Sequence, residues 1–340
     1  MLRTSLSLSL LTNQPFLITA IRARRSQTGL RLQHVKAIEA AVKISSAKVD
    51  GASIGSSSLY FQPGEIKPGR YAFEIKTAGS ASLVLQTIFL PLSKCNAASN
   101  VTISGGTHVP WSPSFHYLDL HWLPFMRRAG FEASLDLNEA GFYPQGGGQI
   151  QATIRPVRQI HPLTITERGR LRQIRGISAV SNLDRKIAKR QREQVVRRLG
   201  SRYPLNDIRI QEMPSRFMGT MLLLLAEFEF SQCCYFSLGA KGKPAELVAD
   251  EAIDSLEAFL ATDGAIDQYM ADQLLLPLPF GEGVSRLSTS KVTGHLITNA
   301  EIIQSFLPAQ IEVHGEIGEP GIVTIKPPEK ISGESKGIGE

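Results

Sequence analysis

Cysteine is scarce: only Cys95, Cys233 and Cys234 occur among 340 residues. An odd count with one adjacent pair gives no disulfide framework. With no C-x-x-C spacing, a structural zinc site is disfavoured as well. The chain therefore reads as one for a reducing compartment, and a cytoplasmic location is expected. No stretch approaches the ~20 apolar residues that span a bilayer. Residues 1–11 carry one arginine and an apolar run broken by alternating serines, with no small-residue cleavage site before Arg22. That pattern reads as a buried helix rather than a signal peptide. Three common site motifs are also missing. There is no G-x-x-x-x-G-K-[ST] loop, no G-x-G-x-x-G between a strand and a helix, and no G-x-S-x-G elbow.

The remaining composition is that of an ordinary globular protein, 42% hydrophobic and 20% charged. Its length allows one large domain or two, each with a real core. The 37 basic against 31 acidic residues leave a net charge of +6, which permits an anionic partner without requiring one. Base is unevenly placed. Residues 1–50 hold eight basic side chains and two acidic ones. A second basic block, 168–202, contains a helix-like run that Asp184 could cap, and its plain reading is a solvated helix face.

Helix-like and strand-like segments alternate. The spacing predicts helices over 33–47 and 245–260, and strands over 58–62, 71–76, 101–104, 149–155 and 321–326. Ala152-Thr153-Ile154-Arg155-Pro156 and Val323-Thr324-Ile325-Lys326-Pro327 echo one another, each after a glycine-rich turn, with Val101-Thr102-Ile103 a fainter echo. Repeated β/α units would produce this. The segment 166–264, with the arginine block, the paired cysteines and the run 221–225, differs enough to read as an inserted second domain. The tail after Pro328 reads as frayed.

Three clusters could carry chemistry. In the stretch 293–299, Thr293 or Gly294 can cap a helix whose apolar face is Leu296, Ala300, Ile303 and Leu307. His295 then sits in the first turn, where the helix dipole favours a neutral, nucleophilic imidazole beside free N–H groups able to hold a phosphate. A structural histidine is the plainer reading of that residue alone. The stretch Tyr269-Met270-Ala271-Asp272-Gln273 could orient a histidine or hold a ribose, or could simply end a helix before Pro277. Arg22, Arg24, Arg25 and Arg31, followed by Gln33 and His34, suit bidentate phosphate recognition. Gly146-Gly147-Gly148 is either a phosphate cradle or a tight turn before a strand. No aromatic platform for stacking bases is visible, so little RNA sequence preference is expected.

Taken in order, these clusters resemble the RNA 3′-terminal phosphate cyclases. The resemblance runs from Leu2 to about Lys326. It includes Leu2-Arg3-Thr4-Ser5, Ile21-Arg22-Ala23, Gly29-Leu30-Arg31 with Gln33-His34, and Leu85-Gln86-Thr87. It continues through Ser104-Gly105-Gly106-Thr107, Gly141-Phe142-Tyr143-Pro144 with Gly146-Gly147-Gly148, and Gly242-Lys243-Pro244-Ala245-Glu246. It closes on Ala271-Asp272-Gln273 and on His295 with Thr298-Asn299.

The resemblance implies an α+β fold. Repeated units of two helices on a four-stranded sheet would form a large catalytic domain from residues 1–165 and 265–328. A smaller α/β domain, 166–264, would be inserted, with 329–340 a flexible tail. It implies ATP-dependent conversion of an RNA 3′-phosphate into a 2′,3′-cyclic phosphate, through a histidine–AMP and an RNA-adenylate. His295 would carry AMP, with Asp272 assisting. Gln86 and the segment Tyr269, Met270, Ala271, Asp272, Gln273 would line the ATP pocket. Arg3, Arg22, Arg25 and Gln33 would hold phosphates. ATP and a divalent cation, magnesium or manganese, are the implied cofactors, with no metal ligand assigned. RNA 3′-phosphate ends are the implied partner and no membrane is implied. The oligomeric state is left open, with a homodimer one option.

The family normally begins with a further strand and a glycine-rich, glutamate-bearing stretch before the residue matching Leu2, so the first strand is expected to be missing here. Arg24 and Thr28 replace the usual glycine and proline. Two alternatives share the resemblance: a non-catalytic relative serving ribosome assembly, and a shortened, inactive cyclase. The presence of both His295 and Asp272 favours catalysis. An enolpyruvyl transferase on similar repeats finds no support in the setting of His295.

Overall fold

A computed structural model describes residues 1–329. The chain opens with α1 (Leu2–Thr12), β1 (Phe16–Ile18), α2 (Leu32–Ser45), β2 (Lys48–Asp50) and β3 (Leu59–Gln62). A second run holds β4 (Arg70–Glu74), α3 (Ala81–Ser93), β5 (Ser99–Gly105) and the short helices α4 (Phe115–Tyr117) and α5 (Leu123–Arg128), joined by a π-turn at Leu118–Trp122. It ends in β6 (Ala133–Glu139) and β7 (Gly148–Ile154). After β8 (Thr164–Ile165) come β9 (Leu171–Ser181), α6 (Lys186–Leu199), β10 (Leu205–Glu212), β11 (Gly219–Phe228), β12 (Gln232–Leu238) and α7 (Ala245–Leu260). The chain then forms α8 (Gln268–Leu275), β13 (Ser285–Thr289), α9 (Gly294–Phe306), β14 (Gln310–His314) and β15 (Gly321–Lys326). The expected tail falls, from Lys330 onward, outside the described residues.

Strand order reveals repetition. One sheet runs β4-β5-β7-β6, with the first pair parallel and the others antiparallel. Another runs β8-β13-β15-β14 with the same parallel and antiparallel pattern. The first sheet, β1-β3-β2, repeats the antiparallel part of it. Among the described residues no strand pairs with the free edge of β1. The sequence echo falls on β7 and β15, which hold equivalent places in their sheets. The fainter echo at 101–103 lies in β5, a different place.

Between β8 and its parallel neighbour β13 lies the fourth sheet, β10-β9-β11-β12. Its central strand explains the uninterrupted run 221–225. Leu222, Leu224 and Ala226 face a core shared with Val248, Ala249, Ile253 and Leu256 of α7. Met221, Leu223 and Leu225 face the larger core that the rest of the chain builds. A strand buried on both faces needs no polar alternation. The basic helix α6 lies outside, where Arg190 pairs with Glu246, and Arg198 with Asp250, Asp254 and Glu257. Asp184 Oδ1 accepts from the Lys186 N–H at 2.8 Å at its start.

The opening helix α1 is buried from Thr4 to Leu10. Its serines are satisfied locally or across the helix pair: Ser7 Oγ donates to the Thr87 carbonyl of α3 at 2.7 Å, and Ser9 Oγ to Gln14 at 2.5 Å. Small hydroxylated residues thus let α1 approach α3 closely with the hydroxyls of Ser7 and Ser9 satisfied. That approach brings the N-terminal turn of α1 beside α8 and α9.

Candidate active site

Four helix segments converge on one cleft. Arg3, Thr4 and Ser7 come from α1, Gln86 and Phe89 from α3, Asp272 and Gln273 from α8, and Asn299 and Ile303 from α9. Its floor is apolar, with Phe89, Leu90, Trp122, Met126 and Leu275. The enclosed part measures about 70 Å³, enough for a few waters, so a nucleotide-sized ligand would occupy its open mouth.

His295 stands in the first turn of α9. Thr293 caps that helix, its Oγ1 accepting from the Leu296 N–H at 3.1 Å. Leu296, Ala300 and Ile303 are buried as expected, whereas Leu307, the fourth residue of the expected stripe, is the half-buried residue that ends the helix. His295, Asn299 and Ile303 recur four residues apart and share one face, and the last two line the cleft. The imidazole is exposed, and among the described residues it makes no hydrogen bond or ion pair. A bare ring at a helix N-terminus is sterically free to act as a nucleophile.

Asn299 ties the helices together. Its Nδ2 donates to Asp272 Oδ1 at 2.5 Å, and its Oδ1 accepts from Thr4 Oγ1 at 2.8 Å. Asp272 thus takes a hydrogen bond from Asn299, and none joins it to His295 among the described residues. Gln86 Nε2 donates to Gln273 Oε1 at 2.5 Å, and Gln273 Nε2 donates to the Tyr269 carbonyl at 3.0 Å. Tyr269 is exposed beside them, whereas Met270 and Ala271 are fully buried on the core side of α8. The start of α8 is fixed by Asp267, whose Oδ1 accepts from the N–H groups of Tyr269 and Met270, and whose Oδ2 meets His121 Nε2 at 2.5 Å.

The cationic side of the site is built from buried guanidinium groups. Arg3 Nη1 and Arg22 Nη1 are buried without a hydrogen-bond partner. Burial lowers the Arg3 pKa, and the charge of Asp272 offsets this in part. His34 Nδ1 accepts from the Arg31 N–H at 2.9 Å. Burial, then Arg22, Arg3 and Arg31, push its pKa down to about 4. His34 thus lies within the electrostatic reach of all three arginines. An unpaired buried cation is costly unless an anion completes it, and the donor geometry fits phosphate oxygens. Arg22 has φ +55°, and its loop closes on Gly29, where a Cβ would stand 2.2 Å from the Gly55 carbonyl oxygen. Arg25 is exposed in the turn after Arg22, and Gln33 is exposed in the first turn of α2.

Of the residues named from sequence, Arg3, Gln86, Asp272 and Gln273 line the cleft; His295 stands one helical turn before Asn299, and Arg22, Arg25, Gln33, Tyr269, Met270 and Ala271 do not line it. Thr4 and Asn299 had drawn no role from sequence. The four-residue step from His295 to Asn299 was the available signal.

A family model described as RNA 3′-terminal phosphate cyclase matches residues 1–313. The chain belongs to that family. A protein of Ralstonia nicotianae named RNA 3′-terminal phosphate cyclase is 40% identical over 317 residues, 93% of this chain and 90% of its own length. One of the same name from Thermococcus onnurineus is 38% identical over 326 residues, 95% of this chain and 94% of its own. A crystal structure of the enolpyruvyl transferase NikO from Streptomyces tendae aligns with 95% of this chain and 45% of that one, at 10% identity and a TM-score of 0.39. The α+β fold with repeated sheets is the one expected for the cyclase family. Among the described residues no helix is long and apolar enough to cross a membrane.

Proposed function

We propose that this chain is an ATP-dependent RNA 3′-terminal phosphate cyclase. The observation that carries the reading is the pairing of a bare His295 at the α9 N-terminus with buried, unpartnered guanidinium nitrogens on Arg3 and Arg22. A ring nitrogen of His295 attacks the α-phosphorus of ATP. A P–N bond forms, the bond to the bridging oxygen breaks, and pyrophosphate leaves. An oxygen of the RNA 3′-phosphate next attacks the same phosphorus, and the P–N bond breaks to restore the imidazole. The neighbouring 2′-OH then attacks the terminal RNA phosphorus, loses its proton, closes the 2′,3′-cyclic phosphate and expels AMP. Each step transfers charge between phosphates, so fixed cations and helix N–H groups stabilise it more than side-chain acids do.

In this reading Arg3 and Arg22 hold phosphates and Gln86 and Gln273 flank the nucleotide. Asn299 fixes Asp272 relative to Thr4. The described residues hold no cluster of three or more histidine, cysteine, aspartate or glutamate side chains suited to a metal. A divalent ion would be held mainly by the nucleotide phosphates with Asp272 as the nearby carboxylate, as small hard cations often are; it would supply charge neutralisation. We also read 166–264 as an insertion into a catalytic unit of 1–165 and 265–328, because β8 and β13 pair side by side across it. The substrate ends would be met in the cytoplasm.

The test is end-group analysis of a 3′-phosphorylated oligonucleotide incubated with ATP and magnesium. The native chain is expected to form a phosphatase-resistant cyclic end, and His295→Ala none. RNA binding without cyclisation by the native chain would instead favour the scaffold alternative.

A further inference from the structure

The motif around Gly141 to Gly148 takes no part in the cleft, yet it displays an aromatic surface that packing does not explain. We propose that Tyr143 and Phe217 form a stacking shelf for bases of single-stranded RNA upstream of the reacting 3′ end. The inference rests on the cyclase reading and assigns a path to the body of its substrate. Tyr143 is 69% exposed and Phe217 38%, with Met218 beside it at 67%. Phe217 sits over the glycine turn, where a Cβ on Gly147 would be 2.8 Å from its ring. Gly146 and Gly147 have φ of +74° and +72°, so the turn reading of this glycine run is the one realised, with Gly146 N–H donating to Phe142 at 2.7 Å. The loop bearing Phe217 is held in shape: Asn182 Nδ2 donates to the carbonyls of Ser215 and Phe217, and the Phe217 N–H to Ser215 Oγ. These rings are therefore presented by a fixed backbone.

Continuity with the site identifies the occupant. A Cβ on Gly146 would lie 2.7 Å from the Thr77 carbonyl and 3.0 Å from Ala78. One residue further, a Cβ on Gly79 would lie 3.5 Å from that of Gln33, which opens the helix following the arginine loop. Neighbouring segments thus link that loop, by way of Gln33 and residues 77–79, to the glycine turn and Phe217. Lys76, exposed at the end of this bridge, has no ion pair among the described residues, while Arg216 pairs with Glu139 at 3.2 Å beyond it. Exposed aromatic side chains linked to a cationic phosphate site match the requirements of single-stranded RNA, whose bases stack and whose backbone needs cations. An apolar protein partner would gain nothing from that continuity. No such platform is visible in the sequence. Tyr143 and Phe217 are 74 residues apart in the chain; the glycine turn is what they share, Tyr143 lying within it and the Phe217 ring beside Gly147.

The experiment measures binding of a fluorescent, 3′-phosphorylated decanucleotide and of its counterpart lacking bases at the positions next to the 3′ nucleotide. Labelled ATP alone reports adenylation in parallel. The native chain is expected to bind the intact strand about ten-fold more tightly than the base-free one, the scale of one stacked base. In Tyr143→Ala/Phe217→Ala the two strands should bind alike, while Tyr143→Phe/Phe217→Tyr, which keeps both π faces, retains the preference. Adenylation should be unchanged in both variants. Equal discrimination in native chain and alanine variant overturns the shelf, as does no discrimination by the native chain. Loss of adenylation in the native chain, with discrimination intact, would defeat the cyclase reading and leave the shelf standing.

Discussion

At the scale of single residues, the site is defined by groups that the ligand-free fold leaves unsatisfied. Arg3 shows this best, because its buried Nη1 has no partner. Arg3→Met keeps the stem volume and removes the charge. We expect it to stabilise the ligand-free chain by on the order of 1 kcal/mol, and to weaken ATP binding at least about ten-fold. Thermal melts with and without nucleotide check both signs, and destabilisation of the free chain would contradict the assignment. Asn299→Ala should behave differently. It leaves Thr4 and Asp272 without their shared partner, so a slower reaction is expected with ATP affinity little changed, read as a fall in kcat at near-constant KM. The place of His295 in the first turn of a capped helix was legible in the sequence because a cap residue and an apolar stripe flank it. Arg22 was legible as part of a basic loop, but the buried, unpartnered Nη1 atoms of Arg3 and Arg22 were not, since burial depends on how α1 and the loop pack.

At the scale of elements, hydrophobic period located the long pieces. The helix over 245–260 and the strand over 321–326 stand where the spacing put them. Strands of two or three residues, β1, β2 and β8, are too short to show a period and went unseen. The repeat was faint for a related reason: equivalent strands share a place in the hydrogen-bond ladder, not a sequence. A buried relay between elements was also invisible beforehand. Thr107 Oγ1 accepts from the Gly141 N–H at 2.9 Å and lies 2.8 Å from His108 Nδ1, and His108 Nε2 lies 2.9 Å from His116 Nδ1. Burial holds His108 well below the usual histidine value, and burial with Arg209 brings His116 to about 4. The unfolded chain takes up these protons near pH 6.5 and the folded chain does not. Stability is therefore full above that pH and falls as pH drops toward 4, by up to about 3 kcal/mol for His116. Melts between pH 7.5 and 4.5 should show this slope, shallower in His116→Gln.

At the scale of the whole molecule, the segment 166–264 and the repeated sheets share a core. Met221, Leu223 and Leu225 are buried in the larger cluster together with residues of the other sheets. Excising 166–264 and bridging the ends with a flexible linker should uncover that apolar face. We expect the product to aggregate or to lose its cooperative melt; a soluble, sharply melting remainder would contradict the shared core. The composition alone suggested a division into two parts. It could not show that one sheet serves both, because a strand buried on two faces reads only as an apolar run.

The account turns on where the nucleotide becomes attached. Native chain incubated with ATP, quenched without acid, digested and mapped by mass spectrometry should carry one AMP, on the peptide containing His295 and on that side chain. Attachment to any other residue, or no attachment while RNA ends are still cyclised, would contradict it.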